Sequence, residues 1–250
     1  MTEIDLLIDL HKEAERQGPG STSETKRALD LIPIDKFRTL KIADIGCGTG
    51  AQTITLAQNT PGSIVAVDFS DVFLKKLKSS IQKLGFQDRV TTLRESMDHL
   101  PFKMEEFDII WSEGAIYNIG FSKGIKEWKK FLKIGGYLAV SELSWITSIR
   151  PQELEAYWSQ AYPEIDTVSN KIRILEDSGY TPVGHFVLPE YCWTENYYNP
   201  LESRFDTFLR KYPENESARK IIESEKEEIQ FYKKYKSYYS YGFYVAKRIN

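Results

Sequence analysis

Five residues between positions 44 and 68 have the types and spacing to hold a charged small ligand. They are Asp44, Gly46, Gly48, Gly50 and Asp68, and the first four fall within "ADIGCGTGAQ" (43–52). Glycine accepts positive φ and lets a ligand approach the backbone closely. A helix opening behind such a turn offers unpaired N–H groups to negative charge. A single glycine would serve an ordinary tight turn, but three at alternate positions after an apolar strand favour a ligand cradle. Gly46-x-Gly48-x-x-Ala51 also meets the dinucleotide pattern G-x-G-x-x-G/A. Asp68 follows Gly46 by 22 residues, the spacing of a carboxylate that accepts hydrogen bonds from ribose hydroxyls. Loop and acid together fit NAD and an adenosyl ligand equally. Asp44 separates the two, because a carboxylate there repels a pyrophosphate and attracts a ligand carrying an ammonium and a sulfonium.

Other candidates lie further along the chain. Glu113 and Gly114 end an apolar run, and Tyr117 and Asn118 follow in "FDIIWSEGAIYNIG" (107–120). Glu113 could hold an amine or be a solvated carboxylate at a strand end. Tyr117 could orient an acceptor hydroxyl or pack as a loop aromatic. Trp145 is a candidate pocket wall or a core tryptophan. His11 is a candidate base on an N-terminal amphipathic helix, where a lone histidine is more often simply exposed. His99 and His185 read as structural. Cys47 reads as a small loop residue with its backbone at the ligand. Neither Cys47 nor Cys192 has a metal-ligand neighbour at useful spacing, so no metal site is expected.

These residues need a scaffold, and the first half of the chain supplies its pattern. Apolar runs at 41–46, 63–70, 89–95, 107–113 and 136–143 are rich in Val and Ile and lack a clean period of two. Strands covered on both faces read this way. Helix-like stretches alternate with them, so the fold class is α/β, a doubly wound Rossmann-like sheet. The helix after the second run has Ser70 or Asp71 as N-cap and Gly85 as its stop. "TPVGHFVLPE" (181–190) and "YYSYGFYVAKR" (238–248) add two strands, for about seven in all. The last is expected as an antiparallel C-terminal edge strand. Residues 146–165 and 190–235 read as helical segments laid beside the sheet.

The composition sets the outer limits. The chain has 250 residues, is 41% hydrophobic and carries a formal net charge of -3. That length suits one large α/β domain. No window reaches the ~18 apolar residues of a membrane span. The acidic, amphipathic N-terminus has no basic leader, and two cysteines make no disulfide framework, so a cytoplasmic location is expected. The acidic total weighs against nucleic acid as a partner.

Three stretches together resemble the class I S-adenosylmethionine-dependent methyltransferases, small-molecule branch, similar to the ubiquinone/menaquinone-biosynthesis (UbiE-like) type. "DIGCGTG" resembles the first motif, whose glycines pass the methionine part of the cofactor. "VDFS" (67–70) resembles the second, which implies Asp68 on the ribose and Phe69 against the adenine. "SMDHLPF" (96–102) is similar to the segment lining the adenine, which brings in Ser96 and Met97. The family often has an acid where Ser96 stands, and Asp98 is the nearest substitute. The resemblance covers about residues 40–145 and the closing strand. "RQGPGSTSETKRAL" (16–29) resembles the opening segment of one subgroup, in which Gly18-Pro19-Gly20 would fold over the cofactor end. The plain alternative is a turn followed by an N-cap at Ser21 or Ser23.

The resemblance implies one methyltransferase domain over 1–250. It has an N-terminal helical lid (1–39), a cofactor-binding core (40–145), and cap insertions with closing strands (146–250). It implies S-adenosyl-L-methionine as cofactor, with Asp44, Gly46, Cys47, Gly48, Gly50, Asp68, Phe69, Ser96, Met97 and Glu113 around it. Tyr117, Asn118 and Trp145 would meet the acceptor, and Glu113, Tyr117 and His11 are the candidates for catalysis. Methyl transfer from a sulfonium is an in-line displacement that needs alignment and desolvation more than a diagnostic side chain. The expected partner is a small-molecule acceptor, with a homodimer also open. "PEYCWTENYYNPLESRF" (189–205), aromatic and acidic, could line a pocket for a small cationic or aromatic acceptor. The rival readings are an RNA or protein methyltransferase, an NAD-dependent oxidoreductase, and a binder that never transfers a methyl.

Overall fold

A computed structural model describes residues 1–35 and 38–250. Residues 36 and 37, which belong to the expected N-terminal segment, lie outside the described residues. The sheet is built from β1 (Leu40–Ile45), β2 (Gly62–Asp68), β3 (Val90–Arg94), β4 (Phe107–Glu113) and β5 (Leu132–Trp145). β7 (Tyr180–Val187) and β8 (Tyr239–Arg248) complete it, and β6 (Asp166–Thr167) is a short strand beside the end of β5. The order is β3-β2-β1-β4-β5-β8-β7. The first five strands pair in parallel, as the buried Val- and Ile-rich runs predict.

One expectation needs correcting. β8 runs antiparallel, but it is not the edge strand. It lies between β5 and β7, and β7 takes the edge. The reason is visible in its side chains. Tyr239, Tyr241, Phe243 and Val245 join the core on one face, while Tyr244 and Ala246 join the core on the other. A strand apolar on both faces must be covered on both, which suits an interior position. β7 alternates buried and exposed residues and carries Pro182 and Gly184 at a register shift, as an edge tolerates.

Helices cover both faces. α1 (Glu3–His11), α2 (Thr22–Asp30), α3 (Ala51–Asn59) and α4 (Asp71–Leu84) pack on one face. α5 (Phe121–Lys129) and α7 (Val168–Asp177) cover the other. The caps follow local chemistry. Ser70 accepts the Phe73 N–H at the start of α4, and Gly85 ends that helix at φ 74°. Ser21 caps α2 by accepting the Glu24 N–H.

The second half adds α6 (Gln152–Ala161), α8 (Glu190–Trp193), α9 (Asn199–Glu202), α10 (Phe205–Lys211) and the long α11 (Glu216–Tyr235). A π-helical turn at Thr194–Tyr198 joins α8 to α9. These segments close over the α1 side of the sheet around Trp193, which stacks on Tyr232 at 4.6 Å and on Tyr241 at 5.1 Å. Among the described residues no helix is long and apolar enough to cross a membrane.

Candidate active site

The carboxyl ends of β1, β2 and β4, with the loops behind them, enclose a cavity of about 410 Å³. Ligands of open α/β sheets bind at this edge. Gly46, Cys47 and Gly48 line one wall, and Asp68 and Phe69 continue it from β2. Ser96 and Met97 come from the segment after β3, and Glu113, Tyr117 and Asn118 from the end of β4. Gly18 and Pro19 close over the top from the N-terminal segment. The structure thus brings ten of the separately predicted site residues and two of the three residues of the Gly-Pro-Gly turn to one cavity.

The loop reaches that wall in a way only glycine permits. Gly46 sits at φ 75°, and a Cβ there would run into the Cβ of Ala115. At Gly48 the space of the missing side chain is filled by the Gln17 amide.

The loop N–H groups are already used. Gly46 and Cys47 both donate to Val67 O, at 2.8 and 2.9 Å, and Gly50 donates to Cys47 O at 2.9 Å. Gly48 donates to Asp68 Oδ2 at 2.9 Å, and Thr49 donates to Gln17 Oε1 at 2.8 Å. These five loop N–H groups are thus paired within the protein, and a pyrophosphate would find none of them free. The cradle is a close-approach surface rather than an anion nest. Its neighbour Asp68 bridges two elements, since its other oxygen accepts the Ser70 N–H at 2.9 Å. Burial pushes the Asp68 carboxyl up, against the pull of those backbone bonds.

Three predicted positions lie outside the cavity for identifiable reasons. Asp44 is fully buried beneath the loop, accepting from Thr53 Oγ1 at 2.5 Å and Gln52 Nε2 at 3.4 Å. Burial drives its carboxyl up to about 7. Gln52 does line the cavity, so Asp44 meets it through that amide. Gly50 caps α3 at φ 91° with Leu77 packed against it. Trp145 is buried in the core, edge-on to Tyr239 and beneath the Arg150 guanidinium.

His11 is also elsewhere. Its Nε2 lies 3.7 Å from Glu225 Oε1, and its ring stacks on Tyr197 at 6.1 Å. His99 is exposed beside Asp98, and His185 is exposed on β7. Cys47 and Cys192 are buried free thiols.

Glu113 is in the cavity wall with its oxygens occupied. Arg16 Nη1 donates to Oε2 at 2.8 Å. Thr25 Oγ1 and Trp111 Nε1 donate to Oε1 at 2.7 and 2.9 Å. The pair is almost sealed, with side chains 7% and 5% exposed. This carboxylate clamps the N-terminal segment to the sheet.

Arg16 and Gln17 are the functional residues that pattern reading passed over, though both stand in the opening segment already singled out. Gln17 Nε2 also donates to Thr49 Oγ1 at 3.1 Å, so one amide grips the glycine loop twice. Glu95 and Gln52, both in the lining, were likewise missed, because nothing local marks their side chains as facing a ligand.

Comparisons agree with this geometry. Residues 42–136 match the family described as "Methyltransferase domain". The demethylmenaquinone methyltransferase of Lactiplantibacillus plantarum is 33% identical over 106 residues, 41% of this chain and 45% of that protein. The methyltransferase GfsG of Streptomyces halstedii is 29% identical over 104 residues, 41% of this chain and 37% of that protein. The match thus spans under half the length of these curated relatives. In three dimensions the chain resembles a SAM-dependent methyltransferase from Geobacter sulfurreducens solved with S-adenosyl-L-homocysteine. The TM-score is 0.84 with 97% of each chain covered, at 17% identity, a likeness of fold alone.

Proposed function

We propose that this chain, whose residues 42–136 match the methyltransferase domain, is an S-adenosylmethionine-dependent methyltransferase of the UbiE-like type and that it methylates a small-molecule acceptor. The observation that carries this reading is the cavity between the glycine loop and Tyr117, whose loop N–H groups are all satisfied within the protein. Such a wall suits the uncharged and cationic parts of an adenosyl sulfonium cofactor and gives a pyrophosphate no purchase there. The fit extends to the acids. Asp68, held by two backbone donors, keeps lone pairs for ribose hydroxyls, and Phe69, 54% exposed, offers a ring face for the adenine. Ser96 and Met97 border the same end, and Ser96 Oγ donates to Asp98 Oδ1 at 2.5 Å.

Bound S-adenosylmethionine would supply an electrophilic methyl group. The protein's part is to exclude water and aim the acceptor. Tyr117 and Asn118 stand at the acceptor end. Glu113 serves as the anchor of the lid through Arg16, since its oxygens are spoken for.

Thermal unfolding with S-adenosylhomocysteine and NAD in parallel tests the reading. A ligand at 100 times its Kd adds about 2.7 kcal/mol, a rise of roughly 5–11 °C for a chain of this size. The homocysteine ligand should produce that rise and NAD should not. A rise with NAD alone would overturn the proposal. With cofactor binding in hand, release of S-adenosylhomocysteine during turnover screens phenols, quinols and amines as acceptors.

A further inference from the structure

The wall of the cavity is charged unevenly. Among the described residues that line it, Asp68, Glu95, Asp98 and Glu113 are acids, and Arg16 is the one lysine or arginine. Such a wall attracts the ammonium and the sulfonium of S-adenosylmethionine. It repels the third charge of that molecule, the carboxylate of its amino-acid end. An enclosed carboxylate without a partner is costly. The uncharged donors nearby are already committed. The five loop N–H groups are paired within the protein, and the Gly114 N–H donates to Ser141 Oγ at 2.8 Å. The amide side chains in the wall, Gln17, Gln52 and Asn118, also donate inside the fold.

Arg16 has donors to spare. A guanidinium carries five N–H groups. Nη1 donates to Glu113 Oε2 at 2.8 Å and Nη2 to Thr25 Oγ1 at 3.2 Å, so two of the five are used. These bonds hold the planar fork in place without exhausting it, and such a fork suits a second carboxylate. Gly20 makes room for the group, since a Cβ there would stand 2.8 Å from Nη1. Gly18 and Pro19 line the cavity beside it, so the guanidinium sits where the segment between α1 and α2 crosses the cavity. The side chain is 7% exposed, and a charge-assisted hydrogen bond is strong where water is excluded.

We propose that Arg16 binds the carboxylate of the cofactor's amino-acid end. The N-terminal segment then reads that end of the cofactor as well as covering it. One guanidinium joins the ligand to Glu113, so holding the ligand and fastening the segment to β4 use the same residue. This deepens the methyltransferase reading and rests on it for the identity of the ligand.

Calorimetric titration of the full chain tests the assignment with two ligands. They are S-adenosylhomocysteine and S-adenosyl-3-thiopropylamine, which differs by lacking the carboxylate. The acid-rich wall alone favours the amine, which is the more positive of the two. A preference for the homocysteine ligand therefore requires a partner for its carboxylate. That ligand should bind the unaltered protein at least ~10-fold more tightly than the amine. In Arg16→Gln/Glu113→Gln both charges go together, so neither is left buried alone. There the affinity for S-adenosylhomocysteine should fall ~10-fold or more, while that for the amine should change by less than about 3-fold. Equal affinities in the unaltered protein overturn the proposal, and that comparison needs no variant to fold. A preference that survives in the double variant overturns it too. Equal binding of both ligands leaves the methyltransferase reading standing, whereas binding of neither counts against both.

Discussion

Two enclosed carboxylate sites, Glu113 in the cavity wall and Glu225 with Glu228 in the cap, are built on opposite plans. At Glu113 every oxygen is matched: Arg16, Thr25 and Trp111 supply three donors, and the charge is neutralised inside the fold. At Glu225 and Glu228 the donors number one tyrosine hydroxyl and a histidine at 3.7 Å. The first arrangement fastens the N-terminal segment over the cavity. The second leaves electrostatic work undone. A saturated polar cluster rigidifies the fold, whereas a partly satisfied one carries a desolvation cost.

Removing the cation from the saturated site should have the largest effect. Arg16→Ala leaves Glu113 buried and unpaired, so a loss of about 3–5 kcal/mol is expected in urea unfolding. A loss under 1 kcal/mol would mean the two sites are not different in kind. Next comes the glycine loop that shares the cavity wall with Glu113. Gly46→Val forces a branched side chain to positive φ against Ala115, for about 3 kcal/mol from strain and overpacking combined. Binding of S-adenosylhomocysteine should drop about 100-fold, read by calorimetry.

The unsaturated site should respond in the opposite direction. Burial foremost, then Glu225, raises the Glu228 carboxyl to about 7 from an ordinary 4.5. Between those pH values the folded protein binds more protons than the unfolded chain, so stability falls as pH rises through that window. Glu228→Gln has no proton to lose there. It should match the unaltered protein near pH 4.5 and exceed it by on the order of 2 kcal/mol at pH 8. A variant that is less stable at pH 8 would show that the carboxylate is compensated after all. The smallest change is Tyr198→Phe, which removes the one hydroxyl on Glu228 and should cost about 1 kcal/mol at pH 8.

The predictions divide along the same line as legibility. The strand–loop–helix at 40–59, the capped helix behind Ser70 and the role of the glycines are local, and local chemistry is written in adjacent residues. Asp44 shows where locality ends. Its type and place were readable, but its burial under Gln52 and Thr53 depends on how α3 folds back over β1. The strand order at the C-terminus was likewise settled by packing, because both-faced apolarity in β8 is satisfied only between two neighbours.

The sequence by itself determined a parallel α/β sheet, a glycine loop that admits close approach, and an acid 22 residues on. Only the tertiary structure decided that His11 leaves the cavity for Glu225 and that Arg16 saturates Glu113 across 97 positions. It also decided that α11 sets Glu228 against the Tyr198 hydroxyl. The physical reason is range. Backbone conformation and helix caps are set within a few residues, whereas the desolvation and pairing of a charge depend on whatever the fold packs against it.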